Sequence, residues 1–464
     1  MIKICDVNYK YKGAEDYSLK NINCEIDKGE CILVTGNSGC GKSTLTRIIN
    51  GLIPHEFEGE FSGRVNLDES DISLMEMWEI ASRVGSVFQN PRNQFFSLDT
   101  TGEIVFGMEN LSFSVEEMRH SFHETVKTLR IEELLDRNIF EISGGEKQLI
   151  AIGSIYALKP EIFIMDEPSA NLDKKNILKL RNIIKILKSQ GKTVIIAEHR
   201  IYYLHDLIDR MIYMKDGKID REYTRRELSE IEKEEFEILG IRSIHPVEIK
   251  LTEFENSKNS PIALEVRNLV LPYGKKTRPI NFSIRENEIM GIIGSIGCGK
   301  TTLSRILTGL LREKSGQIYF YGNTLSLKER CDKAYMIMQD PDYQLFMDTA
   351  YNELKYSDLN SGKESIKTDE IERILGNLNL LDYKDRHPMA LSGGQKQRLS
   401  IAVSMMMNSK IVIFDEPTSG LDYKNMLRVS KIIKELSERG KLILIISHDY
   451  EFINNTCNRV YSFN

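Results

Sequence analysis

Two glycine-rich segments carry the residues whose types and spacing point most directly to chemistry. The first reads GNSGCGKST from Gly36, the second reads GSIGCGKTT from Gly294, and each follows a short apolar run. Glycines let backbone N–H groups approach phosphate oxygens, and a helix that begins after them presents its positive end to the anion. We therefore predict a phosphate cradle in each segment, with Lys42 and Lys300 reaching the β- and γ-phosphates of a nucleotide.

The predicted cradle includes every residue of these loops and the first helical positions after them. Its members are Gly36, Asn37, Ser38, Gly39, Cys40, Gly41, Lys42, Ser43 and Thr44 in the first loop, and Gly294, Ser295, Ile296, Gly297, Cys298, Gly299, Lys300, Thr301 and Thr302 in the second. The hydroxyl groups of Ser43 and Thr301 are expected to bind Mg²⁺.

Two acidic pairs supply a metal ligand and a general base. Asp166 and Glu167 follow one apolar run, and Asp415 and Glu416 follow another. An aspartate at the end of a buried strand is costly unless a cation compensates its charge, and Mg²⁺ is the cation expected here. The neighbouring glutamate can accept a proton from the water that attacks a γ-phosphate.

The two halves of the chain are one design used twice. The separation between matching residues is 258 for the lysines of the phosphate loops, 250 for Gln89 and Gln339, and 249 for the acidic pairs. The first half therefore carries eight more residues between its phosphate loop and Gln89, and we place them near residues 54–62. A repeat of this kind predicts two domains of similar structure.

A second anion-binding pattern, SGG before a helical run, occurs in each half at residues 143–145 and 392–394. One domain does not need two phosphate cradles. The economical arrangement is that each SGG segment serves the nucleotide held by the other domain, with ATP between two facing domains. The residues assigned to this contact are Ser143, Gly144, Gly145, Ser392, Gly393, Gly394 and Gln395.

Short apolar, β-branched runs alternate with helical stretches in both halves, as in residues 31–35, 162–165 and 193–197. Such runs predict buried parallel strands, so the fold class is α/β with a parallel sheet in each domain. At 464 residues the chain is too long for one ordinary core. We predict a first domain over 1–235, a charged linker over 236–261 and a second domain over 262–464.

Composition narrows the function classes. A net charge of −6 gives no electrostatic reason to expect a nucleic-acid partner. The seven cysteines are scattered without a CxxC pair, which favours a reduced, cytosolic chain. No apolar run approaches the roughly 18 residues of a membrane span. Work at a membrane would therefore be done from its surface, through a partner.

Taken together, these motifs resemble the ATPases of ABC transporters over nearly the whole chain. The phosphate loops match the family's Walker A motif, the acidic pairs its Walker B motif, and LSGGQ at residues 391–395 its signature sequence. The resemblance implies two tandem P-loop NTPase domains, each with a mainly parallel core sheet, an antiparallel β subdomain and a helical signature subdomain. It also implies ATP and Mg²⁺ as cofactors.

The resemblance adds two pairs of catalytic residues to Glu167 and Glu416. Gln89 and Gln339 match the Q-loop glutamines, which contact Mg²⁺ or water and sense the membrane partner. His199 and His448 match the switch histidines, which contact the γ-phosphate; each stands 32 residues after its glutamate. The complete set of expected Mg²⁺ ligands is then Ser43, Gln89, Asp166, Thr301, Gln339 and Asp415.

Aromatic and D-loop residues follow from the same resemblance. Tyr11 and Tyr273 stand where the family places a ring against adenine, and Asp173 and Asp422 match its D-loops. One departure concerns the first signature, which reads ISGGE, with Glu146 in place of the usual glutamine. Unequal turnover at the two ATP sites is therefore a hypothesis.

The neighbourhood of the glutamines resembles one branch of the family, the energy-coupling factor (ECF) importers of vitamins and metal ions. The segments QNPRNQFF, QDPDYQLF, AEHR and EILGIRS carry this likeness. It implies a transmembrane coupling protein and a substrate-binding membrane subunit as partners at the cytoplasmic face of the membrane. Arg92 departs from the acidic residue expected at its position, which bears on the partner contact of the first domain.

Two alternatives remain open at this point. The chain could be the ATPase of an ABC exporter, which would share the motifs but differ around the glutamines. It could also be a fused ATPase that acts on ribosomes, a class that typically has a longer, basic linker; the linker here is rich in glutamate.

Overall fold

The computed structural model describes residues 1–170, 172–249, 260–273, 278–295, 297–357 and 368–463. The chain divides into two compact units, Met1–Pro246 and Val247–Asn464. Each unit contains a mainly parallel sheet, a separate antiparallel sheet and a group of helices. The predicted α/β class and the predicted subdomains of both halves are thereby confirmed.

The strands of the first unit form two sheets, of order β2-β1-β4-β5 and β10-β9-β3-β8-β7-β6. The second of these sheets is parallel except for the β9–β10 pair at one edge. The strands are β1 (Ile2–Tyr11), β2 (Leu19–Ile26), β3 (Cys31–Gly36), β4 (Gly59–Leu67), β5 (Ser70–Asp71), β6 (Val84–Val87), β7 (Ile162–Asp166), β8 (Thr193–Ala197), β9 (Arg210–Lys215) and β10 (Lys218–Thr224).

The helices of the first unit are α1 (Lys42–Ile49), α2 (Leu52–His55), α3 (Met77–Arg83), α4 (Thr100–Asn110), α5 (Val115–Leu129), α6 (Gly144–Ala157), α7 (Lys174–Ser189), α8 (Arg225–Glu230) and α9 (Lys233–Leu239). Helices α4, α5 and α6 pack together as the helical subdomain. The central residues of strands β3, β7 and β8 are buried and mostly apolar, because helices or the antiparallel sheet cover both faces of the parallel sheet.

The second unit repeats this plan, with sheets of order β12-β11-β14-β15 and β16-β17-β18-β13-β19, the latter parallel throughout. Its strands are β11 (Ile262–Val270), β12 (Ile280–Arg285), β13 (Ile289–Ile293), β14 (Ser315–Phe320), β15 (Asn323–Thr324), β16 (Ala334–Ile337), β17 (Ile411–Asp415), β18 (Leu442–Ile446) and β19 (Arg459–Ser462). Its helices are α10 (Lys300–Leu307), α11 (Leu327–Lys333), α12 (Ala350–Ser357), α13 (Thr368–Asn377), α14 (Gly393–Met406), α15 (Tyr423–Glu438) and α16 (Tyr450–Thr456).

The start of the linker differs from the sequence prediction. Residues 236–246 belong to the first unit, because Phe236, Leu239 and Ile241 are buried in its core. The Tyr213 hydroxyl also donates to the Leu239 carbonyl at 2.7 Å. The run is charged, yet Phe236 and Leu239 are three residues apart in α9 and therefore share one helical face. Residues 250–259 of the predicted linker lie outside the described residues.

Within the described ranges, no helix has both the length and the apolar content that crossing a bilayer requires.

Candidate functional site

The first phosphate loop joins the end of β3 to the start of α1. Gly41, the residue before α1, has φ 106°, and a Cβ atom there would lie 2.7 Å from the Ser18 carbonyl oxygen. The position therefore requires glycine on two counts. Lys42 donates from Nζ to the carbonyl oxygens of Gly36 and Asn37 at 3.2 and 3.3 Å. The loop thus wraps around an ammonium group at the positive end of a helix, the arrangement expected of a phosphate site.

The second loop has the same geometry between β13 and α10. Lys300 donates to the carbonyl oxygens of Gly294 and Ser295 at 2.7 and 2.8 Å, and Gly299 has φ 109°. The predicted loop residues of both units surround these lysines, except that Ile296 lies outside the described residues. Their role in binding phosphate stays a prediction.

Asp166 and Asp415 lie at the ends of β7 and β17, each beside a hydroxyl group in the first turn of the helix that follows the phosphate loop. The Thr301 hydroxyl donates to Asp415 Oδ2 at 3.0 Å, and Ser43 likewise donates a hydrogen bond to Asp166. Burial raises the pKa of Asp166, because its effect exceeds the opposite effect of the Ser43 bond. Burial and the charge of Glu416 raise the pKa of Asp415 to about 6.

This donor set fits a magnesium ion. Carboxylate and hydroxyl oxygens are the ligands that hard divalent cations prefer. Asp166 Oδ1 is buried and, among the described residues, has no hydrogen-bond partner. A cation beside it would supply the missing interaction and offset the cost of burying the charge.

The two glutamates that follow the aspartates share an unusual backbone. Glu167 and Glu416 have φ 45° and 50°, a left-handed conformation that non-glycine residues rarely adopt. Each is held there by its N–H, which donates to the carbonyl of the next strand, Ala197 or Ile446, at 2.8 and 2.9 Å. Strained backbone that the surrounding structure enforces in this way is concentrated at functional sites.

Each of the two glutamates accepts a side-chain hydrogen bond. Gln89 Nε2 donates to Glu167 at 2.7 Å, and the Ser447 hydroxyl donates to Glu416 at 3.1 Å. The other predicted glutamine, Gln339, is exposed in the loop after β16. The structure therefore brings Gln89 against Glu167.

The two histidines stand in equivalent positions. His199 Nε2 lies 3.6 Å from Glu167 Oε1, and His448 Nε2 lies 3.7 Å from Glu416 Oε1. Burial, together with the charges of Lys42 and Arg242, lowers the pKa of His199 well below its usual range. The imidazole of His199 is therefore neutral at physiological pH.

Both SGG segments begin a helix with a capping box. Ser143 caps α6 and Ser392 caps α14, and in each the side chain three residues on accepts from the serine N–H, Glu146 at 2.7 Å and Gln395 at 2.8 Å. A glutamate and a glutamine perform this function equally well. The departure at Glu146 is thus compatible with an intact helix start.

The extra charge of Glu146 is compensated locally. Arg137 lies 3.1 Å from its carboxylate. Burial opposes ionisation of Glu146, but the hydrogen bonds from Ser143 and the charge of Arg137 prevail, so its pKa is lowered. Arg137 was not predicted from sequence, although its place nine residues before Glu146 could have suggested it.

The predicted adenine-stacking tyrosines have different surroundings. The Tyr11 hydroxyl accepts from Arg47 at 2.9 Å and lies 3.3 Å from the Thr44 hydroxyl, and its ring meets Phe57 edge-on at 6.0 Å. Arg47 in turn lies over the Phe57 ring at 4.5 Å. Tyr273, by contrast, is 68% exposed. Sequence reasoning missed Arg47 and Phe57, and Phe57 lies among the extra residues of the first half.

The predicted D-loop aspartates cap helices. Asp173 accepts from the Asn176 N–H at the start of α7 at 2.9 Å, and Asp422 accepts from the Asn425 N–H at the start of α15 at 2.7 Å. Both are buried, so they fix the segments that lead from the glutamates into these helices.

A phosphate loop, a buried strand-end aspartate and an adjoining glutamate and histidine, all on one mainly parallel sheet, define a P-loop ATPase domain, and this chain has two. The sequence model of the family described as ABC transporter matches residues 19–170 and 277–419. The chain belongs to this family of ATP-hydrolysing proteins.

Relatives extend the match to the whole chain. An ABC transporter ATP-binding protein of Treponema denticola is 43% identical over 99% of this chain and 94% of its own length. A protein of Bacillus subtilis named for HMP/thiamine import, YkoD, is 32% identical over 99% of this chain and 89% of its own. The archaeal ABCE1 in a ribosome-bound complex with Pelota is similar in fold, with a TM-score of 0.69 and 23% identity over 98% of this chain and 76% of that one.

The burial of Glu167 predicts a pH-dependent cost to the metal-free protein. Burial, with the charges of Asp166 and Glu198, raises its pKa from 4.5 to about 8, although Lys42 and Gln89 act in the opposite direction. A carboxyl group whose pKa is raised on folding binds more protons in the folded than in the unfolded protein. The folded protein therefore loses stability as pH rises from 4.5 to about 8. Glu167→Gln should stabilise the first unit by about 2–4 kcal/mol at pH 8 and by little at pH 5.

Thermal unfolding in EDTA at both pH values measures this difference. Glu141→Gln, which neutralises an exposed carboxylate of the same unit, is the control and should change little. An equal effect of Glu167→Gln at pH 5 and pH 8 would contradict the assignment of a buried, protonated carboxyl group.

The aromatic cluster around Tyr11 predicts a nucleobase effect confined to the first unit. Phe57→Ala should weaken binding of a fluorescent ATP analogue about 2- to 10-fold, since aromatic pairs of this kind contribute about 0.5–1.5 kcal/mol. Binding of inorganic triphosphate, which has no base, should not change. The titration is made in a Lys300→Ala background, so that it reports the first unit; equal weakening for both ligands would refute the role of the cluster.

Proposed function

We propose that the chain is the ATP-hydrolysing subunit of an ECF-type importer of a vitamin or metal ion, working at the cytoplasmic face of the membrane through integral membrane partners. The main support is a pair of exposed phenylalanines, Phe96 and Phe346, in the glutamine loops, which we define as residues 89–96 and 339–346. The name of the Bacillus subtilis relative, HMP/thiamine import, points in the same direction.

In each unit the chain's own groups can carry out ATP hydrolysis. Ser43 with Asp166, and Thr301 with Asp415, would hold Mg²⁺, which when bound neutralises the charge of the β- and γ-phosphates. Lys42 and Lys300 bind the same phosphates. The glutamate after each aspartate accepts a proton from the attacking water, and for Glu167 the environment that opposes its ionisation makes the carboxylate a stronger base.

The histidines and the signature serines complete this proposal. The neutral His199 can orient the γ-phosphate or the water by a hydrogen bond without adding a charge. We propose, as the sequence predicts, that the helix beginning after Ser143 or Ser392 serves the nucleotide of the other unit. The local observation that supports this is that each unit already has a phosphate-loop lysine at the start of a helix, Lys42 in α1 and Lys300 in α10.

The glutamine loops present large apolar side chains to the surroundings. Phe96 is 75% exposed and Phe346 is 77% exposed, seven residues after Gln89 and Gln339. Their backbones are nevertheless fixed: the buried Glu103 accepts from the N–H of Phe96 at 3.0 Å, and the buried Glu353 accepts from the N–H of Phe346. Exposed aromatic side chains on a fixed backbone are enriched at protein interfaces, which supports the proposal that a partner binds here.

A second glutamine braces each of these loops. Gln94 accepts from the Phe88 N–H at 3.3 Å and donates to the Ser86 carbonyl at 3.2 Å. Gln344 makes the same two bonds in the second unit, at 2.7 and 2.6 Å, to Met338 and Met336. The loops that carry the phenylalanines are therefore tied directly to strands β6 and β16, so a force on a phenylalanine would reach the nucleotide site.

The surfaces around the two exposed phenylalanines differ in charge between the units. In the second unit Lys396 pairs with Asp342 at 2.7 Å. In the first unit the corresponding residues are Lys147 and Arg92, and burial with the charge of Arg92 lowers the pKa of Lys147. We infer that the partner segment at the first unit is more acidic than the one at the second.

An exporter and a ribosome-directed ATPase remain alternatives without a specific observation in their favour. The likeness to archaeal ABCE1, at 23% identity, shows the fold alone. Absence of a nucleic-acid partner likewise stays a prediction.

Recovery of the chain from detergent-solubilised membranes tests the proposed function. The chain should bring with it a multi-spanning coupling protein and a membrane subunit that binds the cargo. Phe96→Ala combined with Phe346→Ala should lower that recovery about 10-fold or more, since exposed aromatic anchors dominate many interfaces, and should leave the ATP turnover of the isolated chain unchanged.

Trp78→Ala is the matched control, because it removes another exposed aromatic side chain, 63% exposed, from helix α3 of the first unit. It should not reduce recovery of the membrane proteins. Recovery of ribosomal particles in place of membrane subunits would overturn the importer proposal and leave the ATPase assignment in place.

A further inference from the structure

The residues on either side of the histidine, His199 or His448, differ between the two units. The first unit reads Glu198-His199-Arg200 after β8, and the second reads Ser-His-Asp at residues 447–449 after β18. With the histidines aligned, the acidic residue precedes the histidine in one unit and follows it in the other. The resemblance that identified the histidines assigns no role to this carboxylate.

In the first unit the carboxylate of Glu198 is almost fully buried, at 2% exposure. It accepts hydrogen bonds from the N–H groups of His199 and Arg200 at 2.8 and 3.1 Å, and from the Tyr203 hydroxyl at 3.1 Å. It also accepts from the N–H of Ser169, two residues after Glu167, at 3.2 Å. One side chain therefore joins the loop of the histidine to the segment that follows the catalytic glutamate.

In the second unit Asp449 makes the corresponding connection from the other side of the histidine. Its carboxylate, in a residue 5% exposed, accepts from the Thr418 hydroxyl at 2.8 Å and from the Phe452 N–H at 3.1 Å. Thr418 stands two residues after Glu416, as Ser169 stands two residues after Glu167. The same two segments are thus connected through a buried carboxylate in both units.

We propose that this carboxylate, Glu198 in the first unit and Asp449 in the second, is a positioning residue that holds the histidine and the glutamate in register for hydrolysis. The proposal rests on the ATPase chemistry proposed above and adds a residue to it. Glu198 acts through the backbone N–H groups of His199 and Ser169. The separation it maintains is the 3.6 Å between His199 Nε2 and Glu167 Oε1.

The residues on the two sides of the histidine differ together: Glu198 and Arg200 in the first unit correspond to a serine and Asp449 in the second. Arg200 is 7% exposed in the first unit and occupies the position that Asp449 has in the second. Removing Glu198 alone would leave the buried N–H groups of His199, Arg200 and Ser169 without an acceptor, which is costly. Replacing both residues transfers the carboxylate to the position that works in the second unit.

The test compares Glu198→Ser, Arg200→Asp and the double variant in the full chain, in a Glu416→Gln background so that turnover reports the first unit. Glu198→Ser should lower kcat about 10- to 100-fold, as misplacement of catalytic groups does, while the Kd for MgATP stays within about twofold. The double variant should recover kcat to within about threefold of the background.

The reciprocal pair, Ser447→Glu with Asp449→Arg in a Glu167→Gln background, is the matched experiment in the second unit and should likewise retain turnover that Asp449→Arg alone loses. Unchanged kcat in Glu198→Ser, or a double variant no better than the single one, would overturn the proposal. If Glu198→Ser alone does not fold, the double variant decides: turnover near the background supports the proposal, and its absence refutes it. If the unaltered chain shows no ATP turnover, the proposed ATPase chemistry itself fails.

Discussion

In both units an aspartate and a glutamate lie, buried or nearly so, at the carboxyl end of a central parallel strand, where water can stabilise their charge only poorly. Neighbouring groups offset the free-energy cost of burying these two carboxyl groups. A lysine comes from the phosphate loop, a hydroxyl group from the first turn of the next helix, and backbone N–H groups fix the glutamate in a left-handed conformation. A divalent cation and a nucleotide would complete the compensation, which is why we interpret these strand ends as ATP sites.

The two units meet this constraint with different side chains. The buried carboxylate near the histidine has moved from one side of that residue to the other, from Glu198 in the first unit to Asp449 in the second. The tyrosine predicted to stack on the base is packed into a cluster in the first unit and exposed in the second. These contrasts are local, and each lies within one unit. They give a physical basis for unequal turnover that does not depend on the signature glutamate, since Glu146 caps its helix as Gln395 does.

Much of this architecture was predictable because it depends on short-range patterns. Apolar runs predicted the central strands, and the glycine loops predicted the helix starts at Lys42 and Lys300. What escaped prediction depends on contacts between residues distant in sequence. Glu198 and Ser169 are 29 residues apart, and Phe57 reaches Tyr11 only because β4 pairs with β1. The apolar face of the segment at Phe236 was hidden by its many charges, so the linker was started too early.

The most direct measurement of the central claim is steady-state ATP turnover by the purified chain carrying Glu167→Gln and Glu416→Gln together, with MgATP binding measured alongside. If the buried glutamates are the general bases, turnover should fall by about 10²–10⁴-fold, while MgATP binds at least as tightly as to the unaltered chain. Turnover that survives both substitutions would contradict the account.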